Sequence, residues 1–185
     1  VVSSFVEVEG LRWNDDELFY AGQIHPIEEK NHPDYIYFLT TGGGRHYGSC
    51  MMRVKKDNFE NKDEYEYLVG LNSWVKGDEG KNILHNSPYF VIEEKSLEPN
   101  LVYNPYLKKY VSVNKSGLYV SDTIDGPYKT IYDIQTPFDH PEIDGGRGYG
   151  FFLHEKFMDH GGQRMFLQVS RWITYNTFVH EIVLK

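Results

Sequence analysis

The sequence has little of what several common protein classes require. Its 185 residues include one cysteine, Cys50, so an internal disulfide and a paired-cysteine metal or redox site are both excluded. It has one alanine, Ala21, which argues against a helical bundle because alanine is the strongest helix former. No apolar run approaches the roughly 20 residues of a membrane-spanning helix, so we expect no membrane span.

Positive charge is also scarce. The chain carries 19 basic against 27 acidic residues and a net charge of −8. The pairs Lys55-Lys56 and Lys108-Lys109 are too small to form a basic stripe, so we expect no nucleic-acid partner. A neutral partner such as a carbohydrate is compatible with this charge.

The short motifs that mark many enzyme classes are absent. No histidines have the HExxH spacing of a zinc site, and no G-x-S-x-G marks a serine nucleophile. The Gly-rich stretch "TTGGGRHYGS" lacks the Gly-Lys-Ser/Thr of a phosphate-binding loop. The sequence therefore predicts no cofactor and no metal ligands, and leaves a structural cation such as calcium open.

Aromatic residues are abundant, at 16% of the chain, and they fall in short β-type runs separated by turn residues. The runs "DYIYFLTTGGG" and "YGSCMMRVKK" are joined by glycines, and "VSVNKSGLYV" is typical of a hairpin. Its tip holds a glycosylation sequon at Asn114, which we expect to be exposed. The polar stretch "VKGDEGKNILHN" is predicted to be a loop, and the fold to be all-β.

The runs group into about three similar units, over residues 5–75, 85–135 and 148–185. Repeated small antiparallel sheets favour a single β-propeller-like domain over 1–185, and a β-sandwich is the alternative. Closed propellers have about four to eight blades, so three blades predict an incomplete ring. We therefore expect the chain to be part of a longer one, or to be completed by a partner chain.

Glu98 is the first candidate for chemistry. It precedes Pro99 and an apolar strand, and Pro99 disfavours helix before it, so its carboxylate is predicted to lie where a strand begins. A glycosidase needs carboxylates on both sides of a sugar, one as an acid and one as a base or nucleophile. The alternative for Glu98 is a surface glutamate in a turn.

Other residues are candidates for sugar contact. Arg45 and His46 follow three glycines and project from a turn, or are simply exposed in a hairpin loop. His154 follows the apolar run "GFFL" and either faces a channel or is a structural histidine. Six aromatic residues are candidates for stacking on sugars or for the core: Trp74, Tyr103, Tyr106, Tyr149, Trp172 and Tyr175.

Cys50 and two aspartates receive structural interpretations. Cys50, in "SCMMRV", is predicted to be a buried small hydrophobic residue. Asp122 and Asp125, in "GLYVSDTIDGPY", are predicted to shape a turn by accepting backbone N–H bonds rather than to do chemistry.

The order of these segments resembles a family first catalogued as domain of unknown function 4185. The resemblance covers most of residues 33–178 and is strongest in "YNPYLKKY", "SDTIDGPY" and "SRWITYN". It implies a five-bladed β-propeller similar to secreted glycoside hydrolases, some of which cleave D-arabinan. The family's first blade carries an aspartate that has no convincing match here.

The resemblance extends to individual positions. Glu98 matches a glutamate that precedes the "YNPYL" strand, and Arg45 matches a Gly-Arg turn. His154 matches a histidine, although Glu155 stands where proline is usual. The last-blade segment is matched by Ser170, Trp172, Tyr175 and Asn176.

Two hypotheses follow. In the first, the chain is a secreted glycoside hydrolase, or part of one, that acts on an arabinan-like or other polysaccharide. Glu98 is then the acid or base, and its partner carboxylate lies upstream of Val1. The sugar contacts in this hypothesis are Arg45, His46, His154, Trp172 and Tyr175. In the second, the chain is a lectin-like or assembly propeller without catalysis.

Overall fold

The structure is a computed structural model, and it describes residues 8, 11, 13, 24–41, 47–94, 98–114, 117–133, 148–171 and 176–185. Within these ranges the chain is all-β apart from one α-helix and short 3₁₀ turns. No helix in the described ranges is long and apolar enough to cross a membrane. The strands form three antiparallel sheets, and in each sheet strands that are adjacent in sequence are also adjacent in space.

The first sheet has five strands and the second has four. The first contains β1 (Ile24–Glu28), β2 (Tyr35–Thr41), β3 (Ser49–Lys55), β4 (Glu66–Gly70) and β5 (Ser73–Lys76). The second contains β6 (Val102–Asn104), β7 (Lys109–Asn114), β8 (Gly117–Ser121) and β9 (Lys129–Asp133).

The third sheet has three strands, β10 (Gly148–Leu153), β11 (Arg164–Arg171) and β12 (Thr177–Val183). The first strand of each sheet, β1, β6 or β10, lies at a sheet edge. The all-β expectation is thus confirmed. The division of residues 1–185 into blades stays a prediction.

Two hydrophobic clusters hold the three sheets together. One packs the first sheet on the second and includes Leu39, Met51 and Leu101, and the other packs the second on the third and includes Val111 and Leu167. Burying such side chains contributes roughly 1.5–3 kcal/mol each. The second sheet is therefore central in space as well as in sequence.

Strand β6 and the residues before it supply both clusters by simple alternation. Leu101 and Tyr103 pack towards the first sheet. Val102 packs towards the third sheet, and Asn100 and Asn104 are buried on that side. A single short strand thus contributes to two interfaces.

The polar stretch predicted as a loop contains the last two residues of β5 and an α-helix, α1 (Gly77–Asn86). Only Gly80 and Leu84 of this helix are buried, so the helix does not bury a broad apolar face. Leu84 packs in a third hydrophobic cluster with Tyr67 of β4 and with Tyr65, which precedes that strand. The loop prediction was wrong because packing on a sheet, rather than a helical pattern, stabilises α1.

Other local predictions had mixed outcomes. The β7–β8 hairpin is confirmed, with Asn114 opposite Gly117. Its sequon asparagine is buried rather than exposed, and the side-chain Oδ1 of Asn114 accepts the N–H of Gly117 at 3.2 Å. Cys50 is fully buried as predicted, and burial raises the pKa of its thiol to about 12.

The turn after β8 is not shaped by its aspartates. The Ser121 hydroxyl accepts the N–H of Thr123 at 3.2 Å, and the Thr123 hydroxyl donates to the carbonyl of Gly126 at 2.7 Å. Asp122 instead forms an ion pair with Lys109. Hydroxyl groups therefore make the turn bonds that we expected from carboxylates.

Candidate functional site

The three sheets meet around an open groove of about 630 Å³. The edge strands β1 and β6 line it, as do the end of β10 and the residues that follow. The aromatic side chains on this groove are His25, Tyr103, Tyr110, His154 and Phe157. The groove combines aromatic surface with ionisable groups, which suits a polar ligand that has apolar faces.

Two histidines from different sheets lie on this groove. The Nε2 atom of His25, on β1, lies 3.2 Å from the carbonyl oxygen of Leu101, so the neutral ring donates its Nε2–H there. Burial lowers the pKa of His25, and the nearby charge of His154 lowers it further, against the opposing effect of the Leu101 bond. His25 is therefore held in its neutral form near neutral pH.

His154 lies where β10 ends, and it is exposed. Its ring packs edge-on against Phe157, with ring centroids 5.4 Å apart. The side chain of Phe157 is itself 61% exposed, which leaves apolar ring surface open on the groove. The pair offers a platform for the apolar face of a ligand ring.

A buried carboxylate, Glu29, also lines the groove. It accepts the N–H of Asn31 at 2.9 Å and a hydrogen bond from the phenol of Tyr110. Burial raises the pKa of Tyr110, and the bond and charge of Glu29 raise it further. Sequence reasoning missed Glu29, although the alternation of β1 places it on the same face as His25 and Ile27.

Glu98, the predicted catalytic residue, does not line this groove. It is 3% exposed, and its Oε2 atom accepts the N–H of Gly150 at 2.8 Å. Gly150 has a φ of +62° and lies between Tyr149 and Phe151, where the β10–β11 register shifts. A left-handed residue in a bulge has an N–H outside the regular ladder, and Glu98 satisfies it.

Two further buried polar side chains follow Glu98 in the sequence and also bond to backbone groups of neighbouring segments. Asn100 donates to the carbonyl oxygens of Val113 and Phe151, at 2.6 and 2.7 Å. Asn104 donates to the carbonyl of Gly162 at 2.8 Å and accepts the N–H of Leu107 at 2.9 Å. These bonds tie the second sheet to the third.

The other predicted sugar contacts, Arg45, His46, Trp172 and Tyr175, lie outside the described residues. Beside the first two, Thr41 and Ser49 face each other where β2 ends and β3 begins. Both are fully buried, and neither hydroxyl has a hydrogen-bond partner among the residues that the structure describes. Buried polar atoms without a partner are rare in folded proteins.

Of three other predicted stacking residues, two pack against neighbouring side chains and one is exposed. Arg53 lies over the ring of Trp74 at 4.2 Å and over Tyr35 at 4.7 Å, so one face of Trp74 is covered. Tyr103 packs edge-on against Tyr110, with centroids 5.3 Å apart. Tyr106 is 44% exposed.

Among the described residues, no three His, Cys, Asp or Glu side chains are close enough to hold a metal ion. The sequence model of the family described as "Domain of unknown function (DUF4185)" matches residues 11–181. The chain belongs to this family. No curated protein matches the DUF4185 chain.

Proposed function

We propose that this DUF4185 chain is a carbohydrate-active protein that binds a polysaccharide in the groove between its three sheets. One observation carries the proposal: three sheets and the segments that follow their edge strands bring aromatic rings, histidines and a buried carboxylate onto one open groove. Sugars have apolar faces and many hydroxyls, so they need this mixture of stacking and hydrogen bonding.

The proposed architecture is an incomplete five-bladed β-propeller. The four-stranded second sheet has the strand order of a propeller blade, and the first strand of every sheet lies towards the groove. Sheet-edge strand β12 carries exposed Val179 and Val183, at 68% and 58%. Further blades, from the same protein or a partner chain, would cover such a surface.

The first form of the proposal is a glycoside hydrolase, acting on an arabinan-like or other polysaccharide outside the cell. In this form Glu98 is the acid or base, and a second carboxylate supports it. Glu29 is the buried carboxylate that the groove itself provides. The second form is a lectin-like or assembly module, which the bond from Gly150 to Glu98 favours because it gives the carboxylate a structural role.

Cleavage and binding are measured separately to test these forms. The chain is incubated with arabinan and a panel of other polysaccharides, and both bound ligand and new reducing ends are measured. Glu98→Gln keeps the size of the side chain and an oxygen that accepts the Gly150 N–H. We expect this variant to remain folded, as measured by circular dichroism.

Each result decides between the forms. Cleavage that is lost in folded Glu98→Gln supports the hydrolase, whereas unchanged cleavage removes Glu98 from the mechanism. Binding without cleavage supports the lectin-like form. A Phe157→Ala variant should weaken binding, while the exposed Phe178→Ala on β12 should not; binding to no member of the panel would contradict the carbohydrate proposal.

A further inference from the structure

We propose that the groove selects polysaccharides that carry anionic groups, such as carboxylates or sulfates. This inference rests on the proposed carbohydrate-binding function and narrows it to one class of ligand. The inference rests on the way charges are paired around the groove. The net charge of the whole chain, −8, does not indicate this preference.

Most acidic side chains on the groove already have partners. Glu28 forms an ion pair with Lys56 at 3.0 Å, and Asp122 forms one with Lys109. Neither lysine partner lines the groove. These two pairs leave little negative charge to repel an anion.

Glu29 is also satisfied within the protein. Its carboxylate accepts hydrogen bonds from the Asn31 N–H and the Tyr110 phenol. A buried carboxylate with donors of its own is stabilised where it lies and attracts a cation less strongly. The acidic residue of the groove that has no such partner in the described ranges is Glu155.

Three lysines on the same groove have no carboxylate partner among the described residues. They are Lys30, Lys108 and Lys156, and all three are exposed. Lys30 follows β1, Lys108 lies in the β6–β7 turn, and Lys156 follows β10, so each comes from a different sheet. Set against the carboxylates of Glu29 and Glu155, these lysines leave one positive charge in excess.

Placement in a groove strengthens these charges. A concave surface with low-dielectric walls focuses the field of the groups that line it. A polymer with regularly spaced anionic groups would contact several lysines at once, and each contact would add a modest gain. A neutral polymer of the same backbone would gain nothing from them.

The test uses two matched pairs of polymers. Polygalacturonate is compared with its methyl ester, and dextran sulfate with dextran, by calorimetric titration at low and high salt. We expect each anionic polymer to bind about tenfold tighter than its neutral partner at about 0.05 M salt. The preference should shrink near 1 M salt, where the Debye length falls to about 3 Å.

Matched variants assign the preference to the groove. The triple substitution Lys30→Gln, Lys108→Gln and Lys156→Gln should remove the preference, at roughly twofold for each lysine. The control has the same change in charge at exposed lysines off this groove. It is Lys55→Gln, Lys129→Gln and Lys185→Gln, and it should keep the preference.

The outcomes separate this inference from the proposed function. Equal binding of anionic and neutral polymers would overturn the charge selection and leave carbohydrate binding intact. The inference would be overturned if the triple variant of the groove lysines kept the preference for anionic polymers. It would also be overturned if the control variant lost that preference, because the charges responsible would then not be confined to the groove. If the protein binds none of these four polymers and no polysaccharide of the panel, the proposed function is overturned as well.

Discussion

The carboxylate of Glu98 accepts the backbone N–H of Gly150 at 2.8 Å, across the interface between the second and third sheets. The bond joins the residue predicted to be catalytic to a left-handed glycine in a β-bulge. Because both groups are at the sheet interface, their effects on stability can be measured whatever the protein binds.

Gly150→Ala is expected to destabilise the fold by about 1–2 kcal/mol, because a residue with a Cβ disfavours the left-handed region. A Cβ here would also lie 3.2 Å from the ring of Phe152. Gly161→Ala is the matched control, since Gly161 has a φ of +66° and an added Cβ would meet nothing within 4 Å. Urea unfolding should show a larger loss for Gly150→Ala; equal losses would show that crowding at Gly150 is unimportant.

Asn100→Asp is expected to cost about 3 kcal/mol or more, because it buries a charge and removes a donor. The carbonyls of Val113 and Phe151 would lose their bonds to this side chain. Asn86→Asp on α1 is the exposed comparison, where the side chain bonds the carbonyl of Asn82. We expect the thermal midpoint to fall only in Asn100→Asp. Similar shifts in both variants would contradict the claim that the Asn100 bonds stabilise the interface between the second and third sheets.

His25 should make stability depend on pH. Burial lowers its folded-state pKa below 6.5, so the unfolded chain takes up a proton at a higher pH than the folded chain does. Its contribution to stability is therefore full above pH 6.5 and declines as the pH falls through that value. We expect the loss of unfolding free energy between about pH 7.5 and about pH 5.5 to be smaller in His25→Gln.

The control for His25 is His85→Gln, at an exposed position on α1. This variant should keep the pH dependence of the unmodified protein. If His25→Gln also keeps it, the titration of His25 is not coupled to folding.

Cys50 should resist thiol reagents in the folded protein, because it is fully buried and its pKa is raised to about 12. At about pH 8 the reaction should follow unfolding, and one equivalent should react in denaturant. A Ser73→Cys variant, at an exposed position on β5, should add one fast-reacting thiol. Rapid reaction of the unmodified protein would show that the β2–β3 region opens easily.

The strands could be predicted because their signals are local. The β2–β3 and β7–β8 hairpins have β-branched and aromatic runs on both sides of turn residues. Buried Cys50 followed from its apolar neighbours. These features need no information from distant parts of the chain.

The features that sequence reasoning missed depend on distant contacts. The helix α1 packs through one large apolar residue, Leu84. One such residue does not make a pattern of helical spacing in the sequence. Glu29 is set apart from exposed Glu28 by its partner Tyr110, which lies in another sheet. Likewise, Lys30 and Lys56 are alike in sequence, but only Lys56 has a carboxylate partner among the residues that the structure describes, and the fold makes this difference.

The alternation along β6 has a consequence for how the molecule comes apart. Tyr103 and the preceding Leu101 hold the first sheet, and Val102 and Asn104, with Asn100, hold the third. A fluctuation that detaches this strand removes both interfaces together, so the three sheets are expected to melt in a single cooperative transition. Protection of the β6 amide hydrogens against exchange would then report the stability of the whole assembly rather than that of one sheet.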